Sequence, residues 1–181
     1  LPEEVVPVLA VDDEAIDREV FSAAFAGEWH EAGTSGEQAG CSYRFECVLA
    51  SQAEDAVDAF QKAHDEDKPF SVVFLDLRLP PGQDGIWAAE RIRELDPEVH
   101  IVIVTAMHDI HPSDMARRVP PVDRLLYLQK PVHVAEVRHF AIALHAKRVA
   151  EREAALLRRS LEDRVRLRTA ELASEVQSRE R

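Results

Sequence analysis

The sequence predicts an α/β fold in which five strand–helix units form a doubly wound, parallel five-stranded sheet, the fifth helix extending into a long coiled-coil helix. Three observations carry this. Short, almost wholly apolar runs recur along the first 130 or so residues, a helical pattern follows each of them, and residues 132–181 contain neither Gly nor Pro. Brief apolar runs read as strands buried on both faces, and their alternation with helices calls for right-handed crossovers and a parallel sheet.

The first strand is expected at 6–11 (VPVLAV), ending in Asp12 and Asp13. The second falls at 44–49 (RFECVL), the third at 70–75 (FSVVFL) before Asp76, the fourth at 101–104 (IVIV) before Thr105, and the fifth at 124–128 (RLLYL). Helical patterns occupy 16–25, 54–64, 85–95 and 112–118. Ser51 and Glu54 (SQAE) have the spacing of a capping box, which would mark the start of the second helix. Pro120 and Pro121 require the fourth helix to be short. The stretch 27–42 (GEWHEAGTSGEQAGCS) is rich in Gly, Ser, Glu and Ala and reads as an extended surface loop, either a tolerated insertion or a partner contact through Trp29 or His30.

From residue 132 onward the composition turns to Ala, Glu, Leu and Arg, which predicts one long helix. Ala150, Leu161 and Leu172 are spaced by eleven, as are Ala154, Val165 and Val176, with Leu157 in the same apolar set. Eleven residues over three turns give about 3.67 per turn, a seam that stays on one face of a nearly straight or slightly right-handed coiled coil. Its flanks are densely charged, so a solitary helix would leave the stripe uncovered, and self-association is expected. The division implied is residues 1–145 as one domain and 146–181 as a coiled-coil helix continuous with the fifth helix.

A chain of 181 residues, 46% hydrophobic, can bury one core and carry an appendage. A formal net charge of −12 disfavours a sequence-independent grip on nucleic acid, which needs clustered Lys and Arg. No apolar run approaches the roughly 20 residues needed to cross a bilayer, and the first residues lack the pattern of a secretory leader. Cys41 and Cys47 have no His or further Cys at metal-ligand spacing and read as reduced thiols, which fits a cytoplasmic setting. The start at Leu1 and the end inside a helical pattern suggest a piece of a longer protein.

The strand ends carry the chemistry. Asp12, Asp13, Asp76, Thr105 and Lys130 follow four of the five strands, and in an open parallel sheet such carboxyl ends lie along one edge, where ligands bind. Three crowded carboxylates repel one another unless a divalent cation sits among them, and magnesium (or manganese) suits all-oxygen ligands that leave room for a phosphoryl group. Asp76 stands where an ionised carboxylate could attack phosphorus. His108 and His111, near Asp109 and Asp114, read as surface residues and not as a second metal site.

The segments VLAVDDE, VVFLDLRLPPGQDG, IVIVTA and LLYLQKP, in that order, resemble the signature segments of bacterial two-component response-regulator receiver domains over about residues 5–145. The resemblance implies a flavodoxin-like (βα)5 fold and a phosphoacceptor signalling domain rather than an enzyme. It implies that Asp76 takes a phosphoryl group from a histidine kinase or phosphotransfer protein, with Asp13 on the magnesium ion directly, Asp12 through water, and the Arg78 backbone carbonyl as a further ligand. Lys130 would pair with the phosphoryl oxygens and Thr105 would turn its hydroxyl onto them. Ala106 would leave phosphorus accessible and offer an amide, Pro131 would be the cis-proline that follows the lysine, and Tyr127 would be the aromatic switch residue, with ordinary packing as its alternative. The loop after Asp76 (LRLPPGQDG) is one residue longer than the common pattern, and Arg78 is bulky for its position.

The terminal helix resembles signalling coiled coils that precede diguanylate cyclase (GGDEF), PAS or histidine kinase modules. A diguanylate cyclase output is the first expectation, a histidine kinase or PAS protein the second, and a stand-alone dimeric adaptor a third. Neither nucleic acid nor a membrane is expected as a partner of this chain.

Overall fold

The computed structural model describes residues 3–30, 42–106 and 112–179. In chain order the elements are β1 (Glu3–Val11), α1 (Ala15–Ala24), β2 (Glu28–His30), β3 (Ser42–Ala50), α2 (Ala53–Asp65), β4 (Val72–Asp76), α3 (Gly85–Leu95), β5 (His100–Thr105), α4 (Pro112–Arg118), β6 (Leu125–Gln129) and α5 (Val134–Arg179). A single 3-10 turn, Val122–Arg124, leads into β6. The strands form one sheet in the order β2-β3-β1-β4-β5-β6. All neighbours pair in parallel except β2 with β3.

The five expected strands and their helices are present, α3 and α4 with the expected ends and the others displaced by at most three residues. The difference lies at the edge. Part of the expected 27–42 loop is an antiparallel strand, because Glu28, Trp29 and His30 pair with Arg44, Tyr43 and Ser42. Gly27, at φ 74, makes the bend before it, a conformation that costs glycine little. Three residues are too few to show an alternating pattern, while Trp29 against Tyr43, with ring centroids 6.2 Å apart, supplies a cross-strand aromatic pair. Residues 31–41, including Cys41, and residues 107–111, including His108, Asp109 and His111, lie outside the described residues. The Cys47 thiol is free and half-buried, and burial pushes its pKa up to about 12.

The capping box is also not formed. α2 has Gln52 at its N-cap with no side-chain cap bond. Glu54 Oε1 instead accepts from the Gln83 amide at 3.0 Å, tying α2 to the loop after β4. α3, by contrast, is capped locally, Asp84 accepting from the Trp87 amide at 2.8 Å.

The period of two along each strand sorts the core into two layers. Leu9, Val11, Val73, Leu75, Ile101 and Ile103 face Phe60, Ile92 and Met115 of α2, α3 and α4. Val6, Val8, Ala10, Val72, Phe74, Val102 and Val104 face Phe21 and Ala24 of α1 and Val137, Ala141 and Leu144 of α5. Arg138 of α5 donates to the Ala24 carbonyl at 2.8 Å, satisfying the exposed end of α1.

The chain divides into two compact units, Leu1–His145 and Ala146–Arg181. In the second, α5 residues Leu156, Leu157, Leu161, Val165, Leu167 and Leu172 are exposed. Ion pairs one turn apart, such as Arg158 with Glu162 and Arg168 with Glu171, line the helix there. The side chain of Val176 is outside the described residues. Among the described residues no helix is long and apolar enough to cross a membrane.

Phe74 is fully buried, with ring centroids 5.6 Å from Phe21 and 5.9 Å from Phe25. Phe74→Ala is expected to destabilise the first unit by about 3–5 kcal/mol, read as a lower urea midpoint at unchanged slope.

Candidate functional site

The carboxyl ends of β1, β4, β5 and β6 meet at one edge of the sheet. Asp76 is the last residue of β4, and its neighbours in register are Val104 of β5 and, one residue earlier, Leu75 against Val11. Asp12 extends β1 by one step, its amide donating to the Ala50 carbonyl at 3.1 Å. Lys130 extends β6, its amide donating to the Thr105 carbonyl at 3.0 Å. Residues far apart in sequence are therefore held by backbone bonds of the sheet itself.

Lys130 is the hub. Its Nζ lies 2.6 Å from Asp76 Oδ2, 2.8 Å from Asp12 Oδ2 and 2.8 Å from Asp17 Oδ2. Burial by itself would lower the pKa of this ammonium; the bonds to Asp12, Asp17 and Asp76 reverse that and raise it well above the ordinary lysine value. Asp12 is fully buried, and burial pushes its pKa up to about 6 against the opposing pull of Lys130 and of the Glu14 amide, which donates to Asp12 Oδ1 at 2.9 Å. The charge of Asp76 adds to the rise. Asp76 Oδ1 accepts from the Arg78 amide at 3.0 Å, so both of its oxygens have fixed partners.

Asp12, Asp13 and Asp76 each offer an oxygen within 4.8 Å of the others. Oxygen ligands about 2.0–2.1 Å from magnesium lie no more than about 4.2 Å apart, so small side-chain adjustments bring this set to octahedral distances. The donor set is all oxygen and rich in negative charge, which fits a hard divalent cation. Beside it opens a cavity of about 190 Å³ lined by Asp13, Asp76, Arg78, Ala106 and Lys130, among others.

Of the residues expected at the site, Asp12, Asp13, Asp76, Arg78, Thr105, Ala106 and Lys130 lie at this edge, whereas Tyr127 lies two residues before the end of β6. Thr105 donates its hydroxyl to the Ala106 carbonyl at 3.0 Å. Ala106 is exposed on the cavity wall. Tyr127, 37% exposed, pairs in register with Ile103 and so shares the strand face of Ile103 and Thr105, toward α3 and α4. The Lys130–Pro131 bond is cis, as are Pro80–Pro81 and Pro120–Pro121.

Two contributors were not foreseen. Asp17, in the first turn of α1, is a third partner of Lys130, and Glu54 secures the lengthened loop through Gln83. An Asp in a first helical turn ordinarily reads as a complement to the helix dipole, and only the position of α1 at the sheet edge distinguishes Asp17.

Comparison with known proteins agrees with this fold. The family model for the response regulator receiver domain matches residues 8–141. The oxygen regulatory protein NreC of Staphylococcus epidermidis is 38% identical over 68 residues, 38% of this chain and 30% of that protein. The chain thus spans about 30% of the length of the curated relatives it matches. Among solved structures, NtrX from Brucella abortus aligns with a TM-score of 0.63 at 22% identity, over 85% of this chain and 30% of that one. A CheY-like receiver domain protein from Methanospirillum hungatei aligns at 0.58 and 19%, over 82% and 99%. The signal receiver domain of a modulated diguanylate cyclase from Desulfovibrio desulfuricans aligns at 0.57 and 19%, over 82% and 99%. At these identities the structures speak to the fold.

Gly85 opens α3 directly beneath the site. A Cβ there would lie 1.9 Å from the Asp76 carbonyl oxygen and 2.8 Å from the Leu77 Cα, backbone atoms that cannot give way cheaply. At Gly82 the atoms nearest to a Cβ would be those at the carboxylate end of Glu54, a flexible side chain. Gly85→Ala should therefore cost about 1–3 kcal/mol in urea unfolding and Gly82→Ala distinctly less.

Proposed function

The chain belongs to the response regulator receiver domain family of two-component systems, and from that premise we propose that Asp76 is its phosphoacceptor, charged by a phosphohistidine on a histidine kinase or phosphotransfer partner. The observation that carries this reading is the Asp76 carboxylate itself, fixed between the Arg78 amide and the Lys130 ammonium and opening onto a cavity it shares with Asp13.

In this mechanism an Asp76 oxygen forms the new O–P bond while the N–P bond of the phosphohistidine breaks. The leaving imidazole nitrogen keeps the bonding pair and takes up a proton. Asp13, Asp76 and the Arg78 carbonyl, with Asp12 through water, would hold magnesium or manganese, which would supply charge neutralisation to the phosphoryl group. Lys130 is already an ammonium in contact with Asp76, so it can meet the transferred group without a proton change. Thr105 exchanges its bond to the Ala106 carbonyl for one to the phosphoryl group, and Tyr127, on the same strand face, follows the change in space beside it.

The switch leaves through α5, in this reading by self-association of residues 146–181 along the face of Leu157, Leu161, Val165 and Leu172. The exposure of all four supports that role. The output we favour is a diguanylate cyclase, supported by the charged terminal helix and by the fold likeness to the receiver of such a protein.

Incubation with acetyl phosphate and magnesium should add the mass of one phosphoryl group, and neither EDTA-treated protein nor Asp76→Asn should gain it. An unchanged gain in Asp76→Asn would overturn the assignment, with beryllofluoride binding by fluorine NMR as the donor-independent control. Sedimentation should show a dimer that the double change Leu161→Glu and Leu172→Glu converts to monomer while the circular dichroism of the sheet persists; a wild-type chain monomeric at tens of micromolar, roughly, would rule the dimer out at ordinary affinities.

A further inference from the structure

Asp12, Asp13 and Asp76 have evident work in a metal-assisted phosphoacceptor site, but Asp17 has none of it. It is not part of the oxygen cluster of Asp12, Asp13 and Asp76, and it does not line the cavity beside them. Its Oδ2 nevertheless holds Lys130 Nζ at 2.8 Å, the same distance as Asp12. The two side chains are only 16% and 17% exposed, so water has little access to take the place of either.

A lysine ammonium has three N–H donors. Asp12, Asp17 and Asp76 surround it within 2.8 Å; the contact to Asp76 is a hydrogen bond, whereas Asp12 Oδ2 is close in charge only and accepts no hydrogen bond. A phosphoryl oxygen arriving on Asp76 competes with these carboxylates for the ammonium. Asp12 is buried and further tied by the Glu14 amide, while Arg18 Nη1 holds its carbonyl at 2.7 Å. Asp76 is the group being modified, so its distance from Lys130 is set by the new bond. Asp17 sits on the first turn of a helix, with Lys130 as its partner.

We propose that Asp17 is a positioning residue that tethers the Lys130 ammonium on the α1 side of the site and is the partner Lys130 gives up when a phosphoryl group occupies Asp76. The inference rests on the reading of Asp76 as phosphoacceptor. Since a contact shifts an equilibrium only by its difference between two states, a tether present before phosphorylation and released after it opposes the loaded form. Asp17 thereby sets how readily the site holds its phosphoryl group.

The test measures beryllofluoride affinity at saturating magnesium in wild type, Asp17→Asn and Asp17→Glu, with magnesium affinity measured separately so that a change in cation binding is not mistaken for it. Asp17→Asn should bind the mimic on the order of five-fold more tightly, and Asp17→Glu should return the affinity toward wild type, a rescue that a purely structural role would not give. Should the asparagine variant misfold, Asp17→Ser removes the same charge and serves in its place. Equal or weaker binding after removal of the charge overturns the tether and leaves the phosphoacceptor reading intact. A wild-type protein that neither binds beryllofluoride nor takes a phosphoryl group overturns both.

Discussion

A single ammonium balances the acidic edge of this sheet. Four carboxylates, those of Asp12, Asp13, Asp17 and Asp76, converge where β1, α1 and β4 end or begin, and Lys130 contacts three of them within 2.8 Å. Two like charges about 4 Å apart repel by roughly 4 kcal/mol at the dielectric typical near a protein surface. One lysine offsets part of that, while burial first, and the charge of Asp76 to a lesser degree, keeps the pKa of Asp12 raised. The excess negative charge is what suits the site to a divalent cation. The need to hold Lys130 at this point in turn explains why β6 must run parallel beside β5, its last step fixed by the bond from the Lys130 amide to the Thr105 carbonyl.

The alternation of side chains along the strands divides the site into two halves with different neighbours. Continued to the strand ends, the face of Ala10, Phe74 and Leu128 carries Asp12, Asp76 and Lys130 on the side of α1 and α5. The face of Ile103 carries Thr105 and Tyr127 on the side of α3 and α4. Asp17 can reach Lys130 because α1 lies on the first side. Asp76 thus has Lys130 on its own face and Thr105 on the other, and the sheet between them is packed from both sides by fully buried residues. Close packing on both faces of the strands favours rearrangements carried by side chains at the edge.

Elements were legible in the sequence where burial leaves a pattern. The runs in β1, β4 and β5 are apolar throughout because these strands are central and covered on both faces. α3 was legible because Asp84 caps it from within its own sequence. β2 was not, since its pairing depends on β3 and its three residues have no period of their own. Ser51 and Glu54 had the spacing of a capping box, but Glu54 satisfies the Gln83 amide instead, a tertiary bond that no local pattern encodes. The same distinction runs through the site. Asp12, Asp13, Asp76, Thr105 and Lys130 announce themselves as polar groups at the ends of apolar runs, whereas Asp17 sits in an ordinary helical turn, and its role follows from which face of the sheet α1 covers.

α5 changes character along its length. Val137, Ala141 and Leu144 are buried in the first unit, whereas Leu156, Leu157, Leu161, Val165, Leu167 and Leu172 in the second are exposed. Ion pairs one turn apart contribute about 0.2–0.5 kcal/mol each in an isolated helix, and helices draw most of their stability from a buried apolar face. Ion pairs in the second unit such as Lys147 with Glu151, Arg158 with Glu162 and Arg168 with Glu171 are too weak to replace such a face. Leucine and valine side chains each gain about 1.5–3 kcal/mol when fully buried, so covering even a few of the exposed ones outweighs all of these ion pairs together. That inequality supports association as the source of order in the second unit. An element whose stability comes mainly from a partner is one that a modest change at its root can redirect.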